Sequence, residues 1–83
     1  MSYNVFESNY AIGLLLEIAR NEGQTQNALC GWSKTKRRRL MDLEDAGLVR
    51  CVRLGQGIPT RTYLTDKGRR IAPYLRYVAE VMQ

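Results

Sequence analysis

Residues 49–64 break the rhythm of the chain, and that break limits the folds open to it. Val49–Leu54 is rich in β-formers, and Gly55-Gln56-Gly57-Ile58-Pro59 is a cluster of turn residues. Thr60–Leu64 then alternates, with Thr60, Thr62 and Leu64 on one face and Arg61 and Tyr63 on the other. Two strands about a Gly-rich loop make a hairpin. On either side of it, apolar residues recur at helical spacing. The pattern predicts a mainly α chain with one small β-hairpin.

Before the hairpin there is room for three helices. The first is predicted over 8–20, capped by Ser8 or Asn9. Ala11, Ile12, Leu14, Leu15, Leu16, Ile18 and Ala19 cover most of its circumference, which suits an element central to a core. Asn21-Glu22-Gly23 ends it. A short second helix over 25–30 starts at Thr25, and Gly31-Trp32 makes a turn. Ser33 caps a third helix that runs to Ala46 and is closed by Gly47. After the hairpin, Thr65 caps a last helix reaching Met82. Pro73 lies inside that span, so either the helix kinks there or a new one begins with Pro73 at its first position.

The third helix carries the charge that matters. Lys34-Thr35-Lys36-Arg37-Arg38-Arg39 places five cations at the positive end of a helix dipole, and Asp42, Glu44 and Asp45 lie toward the negative end. Both placements are unfavourable for an isolated helix. A polyanion lying on the first two turns supplies the missing counter-charge. At about 100° per residue, Leu40 and Leu43 point to the core while Lys34, Arg38 and Met41 point away, with Thr35 and Arg37 on the flanks. Arg39 falls at the core edge, within reach of Asp42. The bland alternative is a solvated charged face with Arg38 and Asp42 as an i,i+4 pair.

Charge along the chain agrees with the polyanion reading. The 83 residues carry a net charge of +5, and the excess of cations lies in the middle, from Ser33 to Arg70. Histidine is absent, which removes the commonest general base and most zinc sites. Cys30 and Cys51 match no metal spacing and read as small buried residues. No paired carboxylates or nucleophile pattern suggests catalysis. The chain is therefore expected not to be an enzyme and to need no cofactor, metal or small-molecule ligand. The apolar run 11–19 is too short to span a bilayer, and no signal peptide is legible, so a cytoplasmic place is expected.

The stretch Gly31-Trp32-Ser33 to Leu40, followed by Leu43-Glu44-Asp45-Ala46-Gly47-Leu48-Val49, resembles the recognition helix and following turn of winged-helix regulators of the MarR and PadR type. Tyr63-Leu64-Thr65-Asp66-Lys67-Gly68 resembles the segment by which those proteins leave the wing. The resemblance covers residues 10–72. It implies a winged helix-turn-helix that binds duplex DNA and regulates transcription, with helix 33–46 in the major groove and wing 54–61 on the backbone or minor groove. It implies DNA contacts by Lys34, Thr35, Arg37 and Arg38, and by Arg61 on the returning strand. Arg53 and Gln56, at the wing, join this candidate set, and Arg50, Arg69 and Arg70 are weaker candidates. The short second helix and the lack of long flanking helices depart from the MarR pattern and suit a minimal archaeal, viral or plasmid-type group.

Other readings remain beside it. A winged helix also serves as a protein-interaction module in replication or transcription assemblies, and RNA binding has only Tyr63 in its favour. Trp32 is expected in the core or as a helix staple rather than as a stacking platform. The whole chain, 1–83, is expected to be one domain. Ile71, Tyr74, Leu75, Val78, Val81 and Met82 recur at three- and four-residue steps on the last helix. This stripe, with residues 1–7 (Tyr3, Val5 and Phe6 among them), is the expected homodimer interface. The alternative is that the stripe folds back on the first helix.

Overall fold

The computed structural model describes residues 10–81. The elements run α1 (Ala11–Arg20), α2 (Gln26–Cys30), α3 (Lys34–Asp45), β1 (Val49–Val52), β2 (Arg61–Leu64) and α4 (Asp66–Val81). The mainly helical chain with one hairpin is as expected. The helix over 8–20 is shorter at its start: the residue preceding Ala11 is Tyr10, which has φ 69° and makes no side-chain cap. Ser8 and Asn9, the expected caps, lie outside the described residues, as do Tyr3, Val5, Phe6 and Met82.

α1 buries Ala11, Leu14, Leu15 and Ile18, the i, i+3, i+4, i+7 stripe of an amphipathic helix. They meet Leu29 and Cys30 of α2, Leu40 and Leu43 of α3, Leu48, Val49, Leu64 and Ala72 in one core. Two of the caps read from sequence form here: Thr25 Oγ1 accepts from Ala28 N–H at 3.1 Å, and Ser33 Oγ accepts from Lys36 N–H at 3.1 Å. Each satisfies an amide that the first helical turn leaves without a partner.

β1 and β2 pair antiparallel, Val49 opposite Leu64 and Val52 opposite Arg61. The turn between α1 and α2 adds a partial third strand, which the sequence did not announce. Gly23 N–H donates to Thr62 O at 2.8 Å, Thr62 N–H to Gln24 O at 2.9 Å and Gln26 N–H to Thr60 O at 2.8 Å. Thr62, fully buried, places its hydroxyl on Gln24 O as well, at 3.0 Å. Glu22 continues the ladder by side chain: its Oε1 accepts from Leu64 N–H at 2.9 Å and from Arg69 Nη2 at 3.0 Å. The wing is thus tied along its stem to the helix-turn-helix, and only its tip, 53–59, is exposed throughout.

α4 is continuous through Pro73, so no new helix begins there. Thr65 caps it, its Oγ1 accepting from Gly68 N–H at 3.1 Å and donating to Gly47 O at 2.6 Å. Gly68 must be glycine here, since a Cβ would fall on the Leu48 carbonyl oxygen. This close approach docks the start of α4 beside the α3–β1 turn. α4 then divides the predicted apolar stripe. Ile71 and Leu75 are half-buried and pack on the core beside buried Ala72. Tyr74, Val78 and Val81 are exposed, at 75%, 42% and 64%.

Candidate nucleic-acid interface

α3 presents its cations as the pattern predicted. Leu40 and Leu43 are buried, while Lys34, Thr35, Arg38 and Met41 are exposed. Arg39 binds Asp42, Nη1 to Oδ2 at 2.8 Å, with both side chains about three-quarters covered. Asp42 is therefore Arg39's partner. Among the described residues, no carboxylate pairs with Lys34 or Arg38, so the i,i+4 pair between Arg38 and Asp42 does not form. Lys34, Arg37, Arg38, Met41, Asp42 and Asp45 line a shallow surface on this side of the helix. No acid stands in the first turn of α3, and the dipole adds to the positive field there.

Three of the other candidates have structural partners as well. Arg37 Nη2 donates to Asn27 Oδ1 at 2.8 Å and to Gly31 O at 2.7 Å, which ties α2 and the turn to α3. Arg61 Nη1 donates to Gly23 O at 2.8 Å, across the partial third strand. Arg53 is clasped by Glu44: its Nη2 lies 3.1 Å from Oε1, and its Nη1 is 3.2 Å from Oε2. Glu44 Oε2 also accepts from Cys51 N–H at 3.3 Å. The Arg53 guanidinium and the Cys51 amide hold the Glu44 carboxyl below its usual range, and the Glu44 carboxylate raises Arg53. The pair fixes the start of the wing to the back of α3. Gln56 stands at the exposed wing tip. Arg50 lies over the Tyr63 ring, 5.7 Å from its centroid, and Arg69 pairs with Glu22.

Lys36 lies over the Tyr10 ring, 5.5 Å from its centroid, and lines a cleft with Tyr10, Gly13, Glu17 and Gln24. Burial pushes the Cys30 thiol up, and burial with the Glu44 charge pushes Cys51 to about 11. Both shifts disfavour the thiolate, in keeping with side chains packed against apolar neighbours. No described helix is long and apolar enough to cross a membrane.

Trp32 corrects the sequence reading. It is 99% exposed and belongs to no core. With Ser33 as cap, the fourth helical position, which a staple would use, is Arg37, a cation already bonded to the turn. The indole has no apolar partner on its own helix.

A helix-turn-helix followed by a hairpin that braces it, with a cationic exposed face on the second helix, defines the winged-helix class. No family model and no curated protein sequence matches the chain. Solved structures do. The chain is similar to PcaV, a transcriptional regulator from Streptomyces coelicolor solved with its natural ligand, at 23% identity and TM-score 0.76, over 92% of this chain and 58% of that one. It is similar to the transcriptional regulator SlyA at 21% identity and TM-score 0.74, over 87% and 54%. It is also similar to SSV1 F-93, at 29% identity and TM-score 0.67, over 90% and 89%. The fold is that of winged-helix regulators. The chain spans little more than half the length of SlyA and PcaV, whereas its match to F-93 covers most of both chains.

Proposed function

We propose that this protein is a sequence-specific duplex-DNA-binding regulator of transcription that works in the cytoplasm as a homodimer, with α3 in the major groove and the wing on the backbone or minor groove. The observation that carries the reading is the exposed Lys34–Arg38 face, which has no carboxylate partner among the described residues. Arg38 reads a base edge, because it stands near the middle of that face and a guanidinium matches guanine O6 and N7. Lys34, Thr35 and Gln56 are placed for the backbone. Arg37 and Arg61 serve as braces whose remaining N–H groups face phosphate, and Arg53 reaches DNA if Glu44 releases it.

The dimer reading rests on α4. Tyr74, Tyr77, Val78 and Val81 fall at i, i+3, i+4 and i+7, and all are exposed. Four large apolar side chains on one stripe suit a second copy of the same helix related by a two-fold axis. Such an axis sets two recognition helices about one DNA turn apart, roughly 34 Å, and calls for a near-palindromic site.

A mobility shift with random-sequence duplex at low salt tests the DNA reading. Retarded bands at micromolar protein support it. Free duplex throughout contradicts it and leaves the protein-interaction reading of the fold.

A further inference from the structure

Trp32 is the chain's single tryptophan and, among the described residues, the most exposed large apolar side chain, at 99%. Leaving it in water forfeits the burial that makes such a side chain useful. It does not sit on a loose loop. Gly31 takes φ 57°, and its N–H donates to Asn27 O at 2.8 Å. Ser33 N–H donates to Cys30 O at 3.1 Å. Arg37 clamps Gly31 O from the other side at 2.7 Å. The turn therefore holds the indole outward from a fixed backbone, beside a cleft of about 190 Å³ lined by Asn27, Gly31, Trp32 and Arg37.

The surroundings say what covers it. Lys34 follows two residues later, Arg37 shares the cleft, and no acid lies in the first turn of α3. The occupant must present negative charge and an apolar face side by side. A DNA strand does, as phosphates alternate with deoxyribose rings. We infer that Trp32 is a DNA contact at the rim of the groove, its indole packed on deoxyribose and its Nε1–H donated to a phosphate. This contact rests on the DNA-binding reading. It carries no sequence information, because sugar and phosphate are the same at every step. Its part is to fix how deep α3 enters and where Arg38 arrives.

As the sole tryptophan, Trp32 reports on itself. A labelled 20-base-pair duplex is titrated with protein while DNA anisotropy and tryptophan emission are followed together. The emission is expected to shift or quench in step with the anisotropy. Trp32→Ala is expected to weaken binding roughly five- to tenfold on every duplex, the scale of losing an interface aromatic. It leaves the slope of log K against log salt unchanged, since no cation is removed. Trp32→Phe keeps most of the affinity. The thermal midpoint of Trp32→Ala matches the parent, so the loss is not one of folding.

Duplex binding with silent emission, or with Trp32→Ala equal to the parent, overturns this contact and leaves the DNA reading standing. A loss confined to single-stranded DNA overturns it in favour of base stacking. No duplex binding by the parent overturns both.

Discussion

Arg39 holds Asp42 at 2.8 Å and thereby leaves Arg38, one residue earlier, without that carboxylate. Neighbouring arginines on one helix thus take different tasks. Arg39 lies at the core edge and neutralises an acid on its own helix. Arg38 stands in the open, at the centre of the proposed reading face.

Base reading and backbone positioning are therefore separable. Arg38→Ala should cost about 1–3 kcal/mol on the preferred site and relax preference at one base position. Arg61→Ala should weaken all duplexes alike, because a phosphate carries no sequence. Binding to a randomised duplex pool, followed by sequencing of the bound fraction, measures both. Equal loss of specific and non-specific affinity in both variants contradicts the division.

Acid should loosen the wing. Leu64 N–H and Arg69 hold the Glu22 carboxyl below its usual value of 4.5, and Arg53 with Cys51 N–H does the same for Glu44. Folding therefore favours the charged forms. Their contribution is complete above pH 4.5 and is lost as pH falls through the lower folded values. Thermal midpoints between pH 3 and 7 should fall on the acid side, and the double variant Glu22→Gln, Glu44→Gln should flatten that fall. An unchanged acid limb contradicts it.

Gly68→Ala should destabilise the fold by about 1–3 kcal/mol, the scale of overpacking. The added methyl meets backbone, the Leu48 carbonyl, not a side chain that can swing away. Chemical denaturation measures it. A variant as stable as the parent shows that α4 can shift without cost.

Much of this was legible in the sequence. The Gly-rich break gave the hairpin, Thr25, Ser33 and Thr65 gave three helix starts, and the Leu40–Leu43 pair set which face of α3 turns outward. What escaped depends on contacts between distant segments. Gly23 to Gln26 has one β-former, Thr25, and no alternation, so its pairing with β2 arises only once α1 and the wing meet. Arg53 looks free in sequence because Glu44 is nine positions away. Trp32 read as core because tryptophan is usually covered, and only the turn around Gly31 reveals that it points out. The α4 stripe read as one surface, yet it wraps past one face: Ile71 and Leu75 reach the core, and Tyr74, Val78 and Val81 do not.

Those exposed side chains predict association. Sedimentation at micromolar concentration should give twice the 9.5 kDa of the chain, and Val78→Asp should return it to one. A monomer at every concentration, unaffected by Val78→Asp, contradicts the α4 interface.

The open cations of α3 should meet phosphate and base in duplex DNA, and fluorescence anisotropy of a labelled duplex across a salt series measures this. Each phosphate neutralised contributes about −0.9 to the slope of log K against log salt. A dimer using Lys34, Arg37, Arg61 and a few neighbours should show a slope of roughly −5 to −8, and Lys34→Ala should make it shallower. Absent binding at low salt, or a slope near zero that Lys34→Ala leaves unchanged, rules out an electrostatic contact between α3 and DNA.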